Sequence, residues 1–308
     1  MKTTDYFYKT KKLYFDLIKL ALKEDIGTGD ITTRMLIPAN QKVQAVFIVK
    51  QSGIIAGLPI IKQVYQIVDK KTRVKYLVRE GSLVKAGTKV ALVSGSARAI
   101  LSGERVVLNF LQRLSGIATY ANKFVRKVKK YRIPRGVSHC GRVKILDTRK
   151  TVPGWRLLDK YAVRTGGGVN HRMGLYDGVL IKNNHLAVLS SGSPKGTHPV
   201  IYTLSKLDRL RNRKRINVEI EVKNLSEFTL ALPFRPDIIM LDNMGLKDIH
   251  RAVALRNRLK LPRPKLEVSG GVNLNNIGLV ARIGVDFISV GAITHSAPAL
   301  DISMKIIT

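Results

Sequence analysis

The sequence predicts an α/β fold: a small sheet packed by helices, followed by repeated βα units that build a parallel sheet. Three observations carry this. Apolar runs of strand length recur at Val143–Leu146, Gly178–Ile181, Val218–Val222, Asp237–Leu241, Leu266–Val268 and Phe287–Val290. Helical stretches such as Trp155–Val163, Ser226–Leu232 and Leu246–Leu259 separate most of them, the alternation expected of a parallel sheet. No GxGxxG follows the first strand, which favours a barrel over a dinucleotide-binding sheet.

The first hundred residues have a different rhythm. Tyr14, Leu17, Ile18, Ala21 and Leu22 recur at helical spacing, and Asp25–Asp30, with Gly27 and Gly29, breaks that helix. Asp30 and Thr32 read as a cap and turn. Strands are expected at Val43–Val49, Ile54–Ala56, Val74–Val78 and Lys89–Val93, with turns at Gly81 and Gly87. Pro59–Val68 reads as a helix opened by proline. From Ala97 to Tyr131 the period is helical, with a break expected at Ser115–Gly116. Ser190–Thr197 reads as a surface loop. Ser190–Arg215 as a whole reads as a long basic loop with no assigned role.

Composition bounds the function. A chain of 308 residues with 45% hydrophobic content can build two modest domains or one barrel with an addition. No apolar run approaches the roughly 20 residues needed to span a bilayer. Charges interrupt every apolar stretch near the N-terminus, unlike a secretory signal. The single cysteine, Cys140, excludes an intrachain disulfide and any multi-cysteine metal site. A cytoplasmic protein is expected. The 54 Lys and Arg against 21 Asp and Glu give a net charge of +33, which attracts polyanions nonspecifically. Basic residues concentrate at Arg126–Arg135 and Arg209–Arg215, yet no dedicated nucleic-acid motif accompanies them.

The chemistry gathers at strand ends, where βα barrels carry function. Val143–Leu146 leads into Asp147, Thr148, Arg149 and Lys150; Gly178–Ile181 leads into Lys182, Asn183 and Asn184. Between them lie a glycine triplet and His171–Arg172. Glu219 and Glu221 share one face of their strand; Glu219 suits structural contacts in the barrel, Glu221 chemistry. Asp237–Leu241 leads into Asp242. Ser269, Gly270 and Gly271 follow one strand and Gly291 the last, turns whose amides can approach a phosphate closely. Arg149, Lys150, Arg172 and Lys182 can neutralise carboxylates and phosphates. Glu221 and Asp242, costly if buried alone, can hold ribose hydroxyls or a Mg²⁺ bridging phosphates. The ligand so described is a sugar phosphate together with a small polycarboxylate.

These residues resemble the quinolinate phosphoribosyltransferase family over nearly the whole chain. The likeness runs through EDIGTGDITT (Glu24–Thr33), SGERVVLNFLQRLSGIAT (Ser102–Thr119), DTRKTVPGWR (Asp147–Arg156), GGGVNHRMGLYDGVLIKNNH (Gly166–His185), VEIEV (Val218–Val222), IIMLDNM (Ile238–Met244), LEVSGGV (Leu266–Val272) and ISVGAITHS (Ile288–Ser296). It implies an N-terminal α/β sandwich domain (1–112, with the tail 293–308 packing on it). An incomplete (β/α) barrel of the type II phosphoribosyltransferase kind follows over 113–292. The implied reaction joins quinolinate to phosphoribosyl pyrophosphate, with Mg²⁺, giving nicotinate mononucleotide, CO₂ and pyrophosphate in NAD synthesis.

By the same resemblance Arg105, Arg149, His171 and Arg172 bind the quinolinate carboxylates, with Thr148 beside them. Lys150 and Lys182 contact both substrates. Glu221 and Asp242 hold the ribose hydroxyls and metal. Ser269, Gly270, Gly271, Val290, Gly291 and Ala292 form the 5′-phosphate turns. In the family the residue matching Arg105 comes from the neighbouring subunit, so a homodimer, or a hexamer of dimers, is implied. Asn183 departs from the family, many members of which carry an acid there. His185 and His295 are expected just outside the contact shell. Two alternatives remain at this level: a paralogue acting on another heterocyclic acid, and a polyanion-binding protein on a retained barrel. Arg105, Arg149 and His171–Arg172 favour a substrate with two carboxylates.

Overall fold

The computed structural model describes residues 11–131, 143–211, 216–259 and 264–307. Cys140 and parts of both basic concentrations lie outside these residues. Packing divides the chain into two compact units: 1–122 with 150–168 and 292–308, and 123–149 with 169–291. The segment 150–168 therefore belongs with the N-terminal residues, although the sequence assigns it to the barrel.

The first unit opens with α1 (Lys11–Ile26) and α2 (Ile31–Leu36). The short α2 was not expected. It exists because Asp30 caps it, its carboxylate accepting the Thr33 N–H at 2.9 Å. Next come β1 (Lys42–Val49), β2 (Gly53–Ile54), α3 (Leu58–Val68), β3 (Arg73–Tyr76), β4 (Leu83–Val84) and β5 (Lys89–Ser96). β12 (Ile302–Ile307), from the far end of the chain, pairs antiparallel with β1. It completes a four-stranded sheet in the order β12-β1-β5-β3. The two-residue β2 is shorter than the expected Ile54–Ala56 strand and pairs with β4.

Helix α4 (Ala97–Lys129) follows, unbroken through Ser115 and Gly116. The expected break is absent because both residues make contacts that only a continuous helix supplies. The Ser115 hydroxyl accepts the Ala56 N–H at 3.0 Å. A Cβ on Gly116 would sit 2.1 Å from the Pro298 carbonyl oxygen. Helix propensity is thus overridden by tertiary packing. Helix α5 (Arg156–Thr165) packs in the same unit. The Arg113 guanidinium grips the fully buried Asp159 carboxylate at 3.1 and 2.9 Å and lies over the Trp155 ring.

The second unit holds six parallel strands: β6 (Lys144–Leu146), β7 (Val179–Ile181), β8 (Val218–Val222), β9 (Ile238–Asp242), β10 (Lys265–Ser269) and β11 (Phe287–Ser289). Their order is β6-β11-β10-β9-β8-β7. The sheet is an incomplete barrel with β6 and β7 at its two ends. Val169 adds a single parallel bridge to Leu146 on the β6 side. Helices α6 (Asn183–Ser190), α7 (Pro199–Arg211), α8 (Leu225–Ala231), α9 (Leu246–Asn257) and α10 (Ile277–Ile283) connect the strands. The basic segment after Ser190 is therefore not one long loop, since α7 occupies half of it. Val200 and Leu204 are buried on that helix. A four-residue helix, α11 (Ala292–His295), follows the last barrel strand and counts with the first unit. No helix among the described residues is long and apolar enough to cross a membrane.

Candidate active site

Each barrel strand delivers polar residues at its C-terminal end, because the apolar run that makes the strand stops there. β7 ends at Ile181, and Lys182 caps α6, its backbone N–H donating to His185 Nδ1 at 2.8 Å. His185 thus holds the turn that carries Lys182. Glu221 lies one residue from the end of β8 and Asp242 ends β9. Asp242 pairs in register with Ser269, the end of β10, and the Asn243 N–H donates to the Ser269 carbonyl at 2.9 Å.

Glu221 and Asp242 form an acidic pair. Burial raises the Glu221 carboxyl above its ordinary range, and the neighbouring Asp242 raises it further. The Asn183 N–H, Lys182 and Lys223 act in the opposite direction. The Asn183 side-chain amide donates a short hydrogen bond to Glu221 Oε1. An acid at position 183 would instead repel Glu221. Asn243 Nδ2 donates to Asp242 Oδ2 at 3.1 Å.

The turn after β10 needs its glycines. Gly270 has φ +86° and Gly271 φ +59°. A Cβ on Gly270 would lie 2.1 Å from Asn243 Oδ1, so a side chain there meets both backbone strain and a collision. Val290, just past β11, is buried, and its N–H donates to the Leu146 carbonyl at 3.0 Å. Gly291 follows it.

The cationic half begins at Asp147. This fully buried carboxylate accepts the His171 backbone N–H at 2.9 Å. It thereby ties the segment carrying Thr148 and Arg149 to the one carrying His171 and Arg172. Arg172 Nη1 donates to the Gly178 carbonyl at 2.9 Å. The Nε atoms of Arg149 and Arg172 are buried without a hydrogen-bond partner among the described residues. Burial, then the nearby Arg149, pulls the proton affinity of the Arg172 guanidinium down. Glu219 and Asp177 act in the opposite direction. Both arginines are half-buried, and a buried donor left unused is costly until an anion or other acceptor arrives.

His171 stands apart from its expected role. Its Nδ1 accepts the Arg172 N–H at 2.8 Å, and its Nε2 lies 3.1 Å from Glu219 Oε2 and 3.7 Å from Glu267 Oε1. Both ring nitrogens are therefore engaged within the chain, where contact with a substrate carboxylate was expected. His171, Arg172, Glu219 and Glu267 line a cavity of about 330 Å³. The first residues of five barrel strands, from Lys144 to Phe287, also line it. Glu267 is fully buried, accepts a short hydrogen bond from the Ser289 hydroxyl, and has its carboxyl pushed up to about 8 by burial and by Glu219. Sequence reading gave Asp147 and Glu267 no role. The available signal was a lone acid inside or directly after an apolar strand.

Arg105 and Lys150 belong to the first unit. Arg105 is exposed on α4. Lys150 is also exposed, and its carbonyl accepts the Thr294 hydroxyl at 2.7 Å. His295, on α11, is exposed beside Ser296, 2.6 Å from its hydroxyl.

This sequence and geometry match known proteins. The model of the N-terminal domain of quinolinate phosphoribosyl transferase matches residues 30–115, and that of the C-terminal domain matches residues 117–305. The chain belongs to the quinolinate phosphoribosyl transferase family. A probable carboxylating nicotinate-nucleotide pyrophosphorylase of Bacillus subtilis (strain 168) is 40% identical over 283 residues, covering 92% of this chain and 90% of the relative. The chloroplastic carboxylating nicotinate-nucleotide pyrophosphorylase of Arabidopsis thaliana is 38% identical, covering 95% and 82%. Among solved structures, the nicotinate-nucleotide pyrophosphorylase from Francisella tularensis superposes with a TM-score of 0.83 at 38% identity, covering 96% of each chain.

Proposed function

We infer that this chain is a quinolinate phosphoribosyltransferase, forming nicotinate mononucleotide, CO₂ and pyrophosphate from quinolinate and phosphoribosyl pyrophosphate in NAD synthesis. One observation carries the reading beyond family membership. The buried, unpartnered Nε donors of Arg149 and Arg172 accompany the Glu221–Asp242 pair within one parallel sheet unit. A polyanion site alone has no use for the acids, and a sugar site alone has no use for two arginines with buried, unused Nε donors.

The roles follow from chemistry. Arg149 and Arg172 receive the quinolinate carboxylates, Arg being suited to planar, bidentate anions. Thr148 lies beside them, and Arg105 comes from a second subunit in a homodimer. Lys150 and Lys182 serve both substrates as point charges. The turns Ser269–Gly270–Gly271 and Val290–Gly291–Ala292 take the 5′-phosphate on backbone amides. Glu221 and Asp242 accept the ribose hydroxyls.

The same two acids would hold Mg²⁺. Their carboxylate oxygens are the hard donors this ion takes, and their mutual repulsion favours a cation between them. When bound, the ion supplies charge stabilisation to the phosphate oxygens.

In the reaction the C1–oxygen bond of the ribose breaks and pyrophosphate leaves with the electron pair. Glu221 and Asp242 face the oxocarbenium character this leaves on the sugar. The pyridine nitrogen bonds C1 and the ring becomes cationic. The bond from ring carbon to the adjacent carboxylate then breaks, releasing CO₂; its electrons remain on the ring carbon, which takes a proton. Arg149 and Arg172 fix the ring against the sugar, a positioning contribution.

A cytoplasmic setting is part of the reading and rests on the single cysteine. The net charge of +33 adds weak, salt-sensitive attraction for nucleic acids. Incubating the purified chain with both substrates and Mg²⁺ tests the reading. Nicotinate mononucleotide is the expected product, and its absence from folded protein rejects the assignment.

A further inference from the structure

The imidazole of His171 sits at a junction between the barrel interior and the cationic half of the site. A neutral histidine has one ring N–H and one ring acceptor. Here Nδ1 accepts the backbone N–H of Arg172 at 2.8 Å, so the ring proton resides on Nε2. That N–H faces Glu219 Oε2 at 3.1 Å and Glu267 Oε1 at 3.7 Å. The two carboxylates come from β8 and β10, the strands on either side of β9, and both are buried. Glu267 is held in turn by the Ser289 hydroxyl from β11. The His171 backbone is fixed by Asp147, from the end of β6.

A substrate carboxylate gains nothing from this ring. The sole ring proton is spent on Glu219, and a second anion would be forced against two buried acids. The three side chains also place one ligand atom each within 4.8 Å of one another, the spacing of a metal site. A metal-bound Nε2 must be unprotonated. The Arg172 N–H on Nδ1 leaves the proton on Nε2, so this geometry holds a hydrogen bond rather than a cation.

We propose that His171 is a positioning residue: anchored through Nε2–H to Glu219, with Glu267 3.7 Å away, it accepts the Arg172 N–H on Nδ1 and so sets the backbone from which Arg172 reaches the substrate. The other end of Arg172 is set by the Gly178 carbonyl, 2.9 Å from Nη1. Arg172 is thus held at its backbone N–H and at Nη1, while its Nε has no hydrogen-bond partner among the described residues. Bracing of this kind removes ordering costs that quinolinate binding would otherwise meet. The proposal rests on Arg172 being a quinolinate contact, as argued above. It assigns His171 to the support of that contact rather than to the contact itself.

Two substitutions separate the ring nitrogens. His171→Asn keeps an acceptor near the Nδ1 position and loses the group at Nε2. His171→Gln keeps a donor near Nε2 and loses the acceptor at Nδ1. The expected result is a KM for quinolinate raised about tenfold in the Gln variant, the loss of one net hydrogen bond. In the Asn variant the rise stays within about threefold. In both, kcat and the KM for phosphoribosyl pyrophosphate change little. Rescue by Gln rather than Asn, or equal losses in two folded variants, overturns the proposal. A second measurement is independent of turnover and of either variant's folding. Nitrogen-15 NMR of the histidine-labelled, ligand-free protein reads the tautomer of each of its 6 histidines. A protonated Nε2 with an unprotonated Nδ1 at His171 supports the assignment, and a protonated Nδ1 overturns it. If the wild-type protein makes no nicotinate mononucleotide, the functional reading fails, whereas the tautomer result still stands by itself.

Discussion

The Asp147 carboxylate accepts the His171 backbone N–H across 2.9 Å, with Asp147 fully buried. This bond, beside the Val169 bridge to Leu146, joins the end of β6 to the segment after the glycine triplet and so couples the placement of Arg149 to that of Arg172. Asp147→Ala takes the acceptor from the part-buried His171 N–H and should lower stability by about 1 kcal/mol. It should also raise the KM for quinolinate more than that for phosphoribosyl pyrophosphate. Asp147→Asn retains an oxygen acceptor and should recover most of both losses. Denaturant titration and steady-state kinetics read the two effects, and equal changes in both KM values would remove this link from the account.

Arg149 and Arg172 each carry a buried Nε without a partner. Removing either guanidinium relieves a cost in the free protein and takes away the proposed quinolinate contact. Arg149→Ala or Arg172→Ala should therefore raise the KM for quinolinate roughly 10- to 100-fold, the size of a charge-assisted hydrogen bond. Lysine at either position should recover little, because an ammonium cannot present two parallel donors. Full rescue by lysine would show that charge alone matters there.

The six barrel strands are legible in the sequence to within one residue at each end, because each is an apolar run bounded by polar residues. The position of Glu221 and Asp242 at strand ends is legible for the same reason. What stayed hidden depends on distant partners. Gly116 looks like a helix breaker until the Pro298 carbonyl is placed against it. β12 is recognisable only through its pairing with β1, across most of the chain. The sequence offers His171 as a ligand contact, and only the tertiary position of Glu219 and Glu267 shows where its ring points. The role of Asn183 likewise emerges from its bond to Glu221.

Gly270 makes a prediction about the phosphate side. Gly270→Ala meets φ +86° and the Asn243 side chain together. Left-handed backbone alone costs about 1–2 kcal/mol in a non-glycine residue. The variant should lose stability by at least that amount and bind phosphoribosyl pyrophosphate more weakly, with quinolinate binding less affected. Calorimetric titration with each substrate separates the two, and a selective loss of quinolinate binding would contradict the assigned turn.

Glu267 predicts how stability varies with pH. Its carboxyl is raised from 4.5 to about 8 by burial and by Glu219. The folded state therefore holds a proton that the unfolded chain releases at lower pH. Its contribution to stability is complete below the unfolded value and declines as pH rises toward about 8. Glu267→Gln removes this titration and should flatten the decline. Denaturation midpoints on either side of that window measure it; an unchanged slope would place the titrating group elsewhere.

The central claim is that decarboxylation here is a consequence of joining the pyridine nitrogen to the sugar. Quinolinate carrying a carbon label in the carboxylate next to the ring nitrogen tests it most directly. With phosphoribosyl pyrophosphate and Mg²⁺, labelled CO₂ and nicotinate mononucleotide should appear in equal amounts, and neither should form when phosphoribosyl pyrophosphate is omitted. Labelled CO₂ without phosphoribosyl pyrophosphate, or no labelled CO₂ from folded protein with both substrates present, would contradict the account.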